Sequence, residues 1–111
     1  MENERIEREK EWVANEVKSF DYYIDDLDET FNGIDTFFGY VEYYSADALK
    51  DNVEFINNSF TDRSRDLEIT IKNVNEYDSE MAETLSAKYA KYKQKTEQYM
   101  RKLKQFVSNL G

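Results

Sequence analysis

Cysteine, histidine and proline are all absent from these 111 residues, and glycine occurs three times. Each absence closes off a chemistry. Without Cys there is no disulfide frame and no thiolate nucleophile; without His there is no imidazole base and no zinc site of the usual ligand set. The Glu-x-x-His pairs that hold di-iron centres in helical bundles are excluded with it. Phosphate-cradling glycine loops are missing too. No apolar run approaches the ~18 residues of a spanning helix. Met1–Glu11 is mostly charge, unlike a signal peptide. The expectation is a soluble cytoplasmic protein that is not an enzyme, holds no cofactor or metal and does not insert into membranes. Export by a route needing no cleavable signal stays open.

What fills the chain instead is helix-forming sequence, and its apolar spacing is informative. Ile6, Val13, Val17, Phe20, Ile24, Leu27, Phe31, Ile34, Phe38 and Val41 follow alternating steps of four and three, with Lys10 as the single polar entry. Such a seam specifies an amphipathic helix packed against other helices. A weaker series starts at Leu49 and runs to Leu110, interrupted at Arg63, Thr70 and Thr96. Nothing of comparable length alternates with period two, so the fold class expected is all-α.

Asn32-Gly33 offers a stop for the first helix, since Gly reaches the left-handed conformation at little cost. Because Phe38 and Val41 keep the seam's phase, the helix has the alternative of running on and turning only at Ser45. Ser45 is a good N-cap, with Asp47 in the following turn to meet the helix dipole. As one straight rod, the residues after Ser45 would reach about 100 Å, against about 42 Å for a first helix of ~28 residues. Either the chain folds back or a partner covers the excess. Two stretches, 57–64 and 73–79, are rich in Asn, Asp and Ser, and the second divides the remainder more evenly. The expected organisation is one helical domain over 1–111: helix about 4–32, aromatic turn 33–44, helix about 45–75, a bend within 73–79, and helix about 79–109. That is an antiparallel hairpin or an up-down-up three-helix bundle with coiled-coil-like packing.

Charge is segregated along the chain. Residues 16–62 carry twelve acidic side chains against Lys18 and Lys50, whereas residues 88–104 carry seven basic ones against Glu97. Segments of opposite sign are expected to lie side by side, within the chain or between chains. A nucleic-acid role for the basic run is disfavoured by the net charge of −9. The acidic knot Asp25, Asp26, Asp28 and Glu29 is expected to be a solvated face rather than a catalytic or metal site, since carboxylates gain a useful pKa only through burial or a close charged neighbour. Trp12, beside Val13, reads as a shield on the seam's edge. The aromatics Phe37, Phe38, Tyr40 and Tyr43 around Gly39 either plug the end of a bundle or form a docking surface. Neighbouring pairs such as Tyr22-Tyr23 and Tyr43-Tyr44 cannot all face one core, so some Tyr belong at helix flanks suited to a wet interface.

Two amphipathic segments joined near residue 40 by Phe37-Phe38-Gly39 resemble the Trp-x-Gly (WXG) superfamily. They are similar, more closely, to the small helical partners of LXG toxins in type VII secretion of Gram-positive bacteria. The likeness is one of architecture over most of the chain. It departs in having no Trp at the tip and no C-terminal Tyr-x-x-x-Asp/Glu signal, although Phe31 and Asp35 fit a Phe-x-x-x-Asp targeting pattern. The resemblance implies a targeting or chaperone partner that binds the helical domain of a toxin. The partner-binding residues expected are Phe20, Ile24, Leu27, Phe31, Phe37, Phe38, Gly39 and Tyr40, presented to an amphipathic helix in a hetero-oligomer or a homodimer. Leu27→Asp is then expected to abolish association while sparing much helicity. Two other readings remain: an acidic mimic of nucleic acid that inhibits a basic groove, as anti-defence and immunity proteins do, and a homo-oligomeric coiled-coil scaffold.

Overall fold

The computed structural model describes residues 2–110, and all of its regular structure is helical. Helix α1 spans Glu2–Gly39, a single 3-10 turn covers Val41–Tyr43, α2 spans Ala46–Asn75 and α3 spans Ser79–Asn109. Pairings across the helices fix the topology. Trp12 meets Tyr77, Asp26 meets Arg63 and Phe31 meets Phe60, so α1 and α2 are antiparallel. Asp28 meets Tyr92 and Asp35 meets Tyr99, so α1 and α3 are parallel. The result is an up-down-up three-helix bundle measuring 64 × 19 × 17 Å.

The expected stop at Asn32-Gly33 does not occur; α1 continues through it to Gly39. Gly33 is in ordinary helical backbone, because the seam beyond it still has apolar surface to bury: Ile34 is fully buried and Phe37 and Phe38 are partly so. Tertiary packing outweighs the ~1 kcal/mol by which Gly is disfavoured in a helix interior. Residues 40–45 then make the turn. Ser45 caps α2, its side-chain oxygen accepting from the Ala48 amide at 3.2 Å. The stretch 57–64 stays helical, and the chain reverses at 76–78, where the Asp78 carboxylate accepts from the Met81 amide at 3.0 Å to cap α3. The excess length after Ser45 is thus resolved by fold-back.

The core is the expected seam closed on itself. Phe20, Ile24, Leu27, Phe31 and Ile34 of α1 pack with Val53, Phe60, Leu67 and Val74 of α2 and with Ala82, Leu85 and Leu103 of α3. Two of the three interruptions prove to be core positions, since Thr70 and Thr96 are each 4% exposed. The Thr96 hydroxyl is buried with no hydrogen-bond partner among the described residues. An orphaned buried hydroxyl costs on the order of 1–3 kcal/mol. Thr96→Val, of the same shape, is therefore expected to raise stability by about 1 kcal/mol in a denaturant titration; a loss of stability would show that the hydroxyl is satisfied after all.

At 1.5 Å per residue the 38 residues of α1 extend about 57 Å, whereas α2 and α3 reach about 45 Å. The surplus lies at the start of α1. Trp12 packs edge-on against Tyr77 at 5.2 Å, which places the α2–α3 turn beside it and leaves the residues before Trp12 overhanging. Lys10, the polar entry in the seam, falls in this overhang, where it has no core to enter.

Candidate functional site

The ladder between α1 and α3 explains why so much charge is segregated. Asp21, Asp28 and Asp35 recur every seven residues on α1, as do Lys88, Lys95 and Lys102 on α3, alongside Tyr92, Tyr99 and Phe106. Lys88 approaches Asp21 at 3.6 Å, and the Tyr92 hydroxyl donates to Asp28 at 3.1 Å. The Tyr99 hydroxyl donates to Asp35 at 3.3 Å, while the Lys95 ammonium lies 4.5 Å from the Phe31 ring centre and Lys102 lies 4.7 Å from that of Phe38. Such cation–ring contacts are worth roughly 0.5–1 kcal/mol each at exposed sites. On the other flank, Arg63 reaches Asp26 at 2.8 Å and Asp66 at 2.9 Å, and its guanidinium lies over Tyr23. The acidic knot is therefore only partly the solvated face expected. Asp26 and Asp28 are half-buried ties between helices, while Asp25 and Glu29 are exposed.

These ties act on the tyrosines. Desolvation, and then the hydrogen bond to the Glu68 carboxylate, push the Tyr89 hydroxyl up to about 12. Burial and hydrogen-bonded Asp28 raise Tyr92, and burial with the charge of Asp35 raises Tyr99. A raised folded-state value means that the stabilisation is complete below about pH 10 and is lost as pH climbs toward the folded-state values. Tyrosinate absorbance is expected to show a late-ionising group among the nine tyrosines, its last phase removed by Tyr89→Phe. A single phase for all nine would contradict these contacts.

The residues expected to bind a partner divide sharply. Phe20, Ile24, Leu27 and Phe31 lie between 0% and 3% exposed, because α2 and α3 of the same chain cover them. They are core, and this corrects the expectation that they face a partner. Leu27→Asp consequently cannot report on association alone. Phe31 is equally hidden from any receptor reading a Phe31-x-x-x-Asp35 pattern, while Asp35 is engaged by Tyr99. Phe37 and Phe38 are half-buried, both packed edge-on against Phe106, so they plug the bundle end. Gly39 and Tyr40 are exposed.

Two clefts stay open at the aromatic end: one between α2 and α3 lined by the charged Lys50, Glu54, Arg101 and Lys104, and an uncharged groove between α1 and α2. The uncharged groove is a cleft of about 420 Å³ whose lining includes Gly33 and Phe37 from α1, Tyr40 and Tyr44 from the turn, and Phe55 and Ile56 from α2. Phe55 is 72% exposed, and Tyr40, Tyr43 and Tyr44 are exposed beside it. A Cβ added at Gly33 would meet nothing within 4 Å. The hydroxyls of the cleft are satisfied: Thr30, Thr36 and Ser59 each donate to the backbone carbonyl four residues earlier, at 2.9, 3.2 and 3.0 Å, which leaves Asn52 as its one lining side-chain amide. Side chains satisfied this way make no demand on an occupant. A second apolar patch lies at the opposite end, where Ile6, Val13, Val17, Tyr77 and Met81 line a hollow of about 620 Å³ under the α1 overhang.

Tyr40 and Gly39 lie at the turn as expected, but the turn begins at residue 40 rather than 33, and Phe55 and Gly33 were not among the expected contact residues. The signal for Phe55 was available: it is a large apolar residue one position off the seam residue Ile56, on a helix whose core stripe is already complete. Among the described residues no helix is long and apolar enough to cross a membrane, and no three Asp or Glu side chains gather as a metal site. No protein-family model matches the chain, and no curated protein or solved structure does.

Proposed function

We propose that this protein is a non-catalytic interaction module that binds an amphipathic helical partner at the exposed aromatic end of its bundle. One observation carries the reading: the chain closes its own seam, yet leaves Tyr40, Tyr43, Tyr44 and Phe55 exposed together around one turn. Aromatic side chains supply large contact area at low entropic cost, and contiguous exposed apolar surface on a small protein marks an interaction site. The carboxylates closest to a catalytic arrangement, Asp26 and Asp28, are occupied by Arg63 and Tyr92, which favours binding over chemistry.

The more specific reading follows the resemblance of Phe37-Phe38-Gly39 and its flanking helices to WXG-like partners. The protein would accompany the helical domain of a toxin to a type VII secretion system, acting in the cytoplasm before export. The experiment is absolute mass in solution, first of the isolated chain and then of the chain expressed in its native cell with whatever co-purifies. A monomer of 13.3 kDa alone and a stoichiometric complex with a helical protein is the expected result. Complexes that dissolve steeply with salt and form with a basic, nucleic-acid-binding protein would replace this reading with the acidic mimic.

A further inference from the structure

We infer that the α1–α2 groove over Gly33 seats a partner helix carrying a large apolar side chain on one face and Lys or Arg along its flanks. The inference rests on the binding role proposed above and names its site and chemistry. Three features define the occupant. The cleft is largely apolar and sterically open near the C-terminal end of α1, where a Cβ on Gly33 would meet nothing within 4 Å. Its Ser and Thr hydroxyls are already satisfied within their own helices, so the inserted group need not be polar. No charged residue lines the cleft, and Glu29 and Asp51, exposed one position before its lining residues Thr30 and Asn52, have no cation within 4 Å among the described residues. Of the cations flanking this stretch of α2, Lys50 lines a separate cleft against α3, and Arg63 is consumed by Asp26 and Asp66.

A fourth helix laid between α1 and α2 would complete a four-helix arrangement, burying Phe55 and placing its own cations over Glu29 and Asp51. The hollow at the opposite end names no such occupant, because Lys10 and Lys18 line it together with Glu9 and Asp78.

Gly33 makes the test clean. In an ordinary helical backbone with open space above it, Gly33→Leu should strengthen the helix and raise the melting temperature by a few degrees, yet fill the groove. The probe is a synthetic amphipathic peptide of about 18 residues, five turns of helix, with a Leu/Phe stripe and a Lys polar face; its counterpart carries Glu for Lys. In nuclear magnetic resonance titrations the Lys peptide should shift the amides of Thr30, Gly33, Asn52, Phe55 and Ser59, and the Glu peptide should not. Gly33→Leu should weaken binding at least tenfold, and Phe55→Ala about thirtyfold, the effect of an interface hot spot.

Shifts centred on Ile6, Val13 and Tyr77, or equal affinity for the two peptides, would overturn the assignment. Concentration-dependent dimerisation of the chain alone, abolished by Gly33→Leu, would put a second copy in the groove and overturn the occupant. Failure of both peptides to bind would overturn the groove while leaving the interaction role to the mass measurement. A native complex whose affinity ignores Gly33→Leu would do the same. Absence of any native complex would defeat the role itself.

Discussion

Leu27→Asp is expected to lower the melting temperature by about 20 °C or to abolish the cooperative transition altogether. Leu27 is 1% exposed at the centre of the α1 stripe. The substitution removes a buried apolar side chain, worth roughly 2–5 kcal/mol in comparable cores, and leaves an unpaired carboxylate that the interior cannot solvate. The two costs together approach the 5–15 kcal/mol of total stability typical of single domains. The informative control is the same chemistry where the structure places no cost. Phe55→Asp, at a position 72% exposed, should shift stability by less than about 0.5 kcal/mol. Circular dichroism melts of the two variants check the pair. If Leu27→Asp melted like the parent while Phe55→Asp unfolded, α1 and α2 would each be packed on the opposite face.

Phe31→Ala is expected to cost about 3–5 kcal/mol, the usual penalty for emptying a buried Phe site. The ring is 2% exposed, with its centre 5.5 Å from Phe60 and 4.9 Å from Tyr99, and it is roofed by the Lys95 ammonium. Aromatic pairs add roughly 0.5–1.5 kcal/mol beyond area alone, so this position ties all three helices. The melting temperature should fall by about 15–20 °C. Measured below that lowered transition, however, affinity for a partner should stay within about threefold of the parent, because the ring touches nothing outside the bundle. A large loss of affinity in a fully folded Phe31→Ala protein would restore Phe31 to the interface.

Much of this fold was legible without coordinates, and the parts that were not share a cause. The seam from Phe20 to Ile34 was readable because a period near 3.5 records which side chains must leave water. The cap at Ser45 was readable because few side chains satisfy free amides at a helix start, whereas Asp78 stood out only as one of several cap-prone residues in 73–79. The extent of α1 was misjudged at Gly33. Local backbone preference favoured a stop there, but Ile34, Phe37 and Phe38 had apolar surface to bury and extended the helix. The partner surface was misjudged for a related reason. A hydrophobic stripe shows that something covers it, not whether the cover is the same chain or another. Only the reversal at 76–78 decides that, by returning α3 alongside α1. The Asp–Tyr–Lys ladder escaped notice although its seven-residue spacing stands in the sequence, because its two halves are 64 residues apart for the Tyr–Asp pairs. Phe55 was passed over although its place one position off the seam at Ile56 marked it, and its 72% exposure follows from the completed core.

The central claim is that the chain covers its own seam and keeps a separate aromatic groove for a partner. Thermal unfolding of the isolated protein at concentrations a hundredfold apart tests the first half directly, since a seam covered by a second copy makes stability depend on concentration. A self-contained bundle predicts superimposable transitions at both concentrations. A melting temperature that climbs with concentration would mean that Phe20, Ile24, Leu27 and Phe31 are buried between chains, and the account would fail at its foundation.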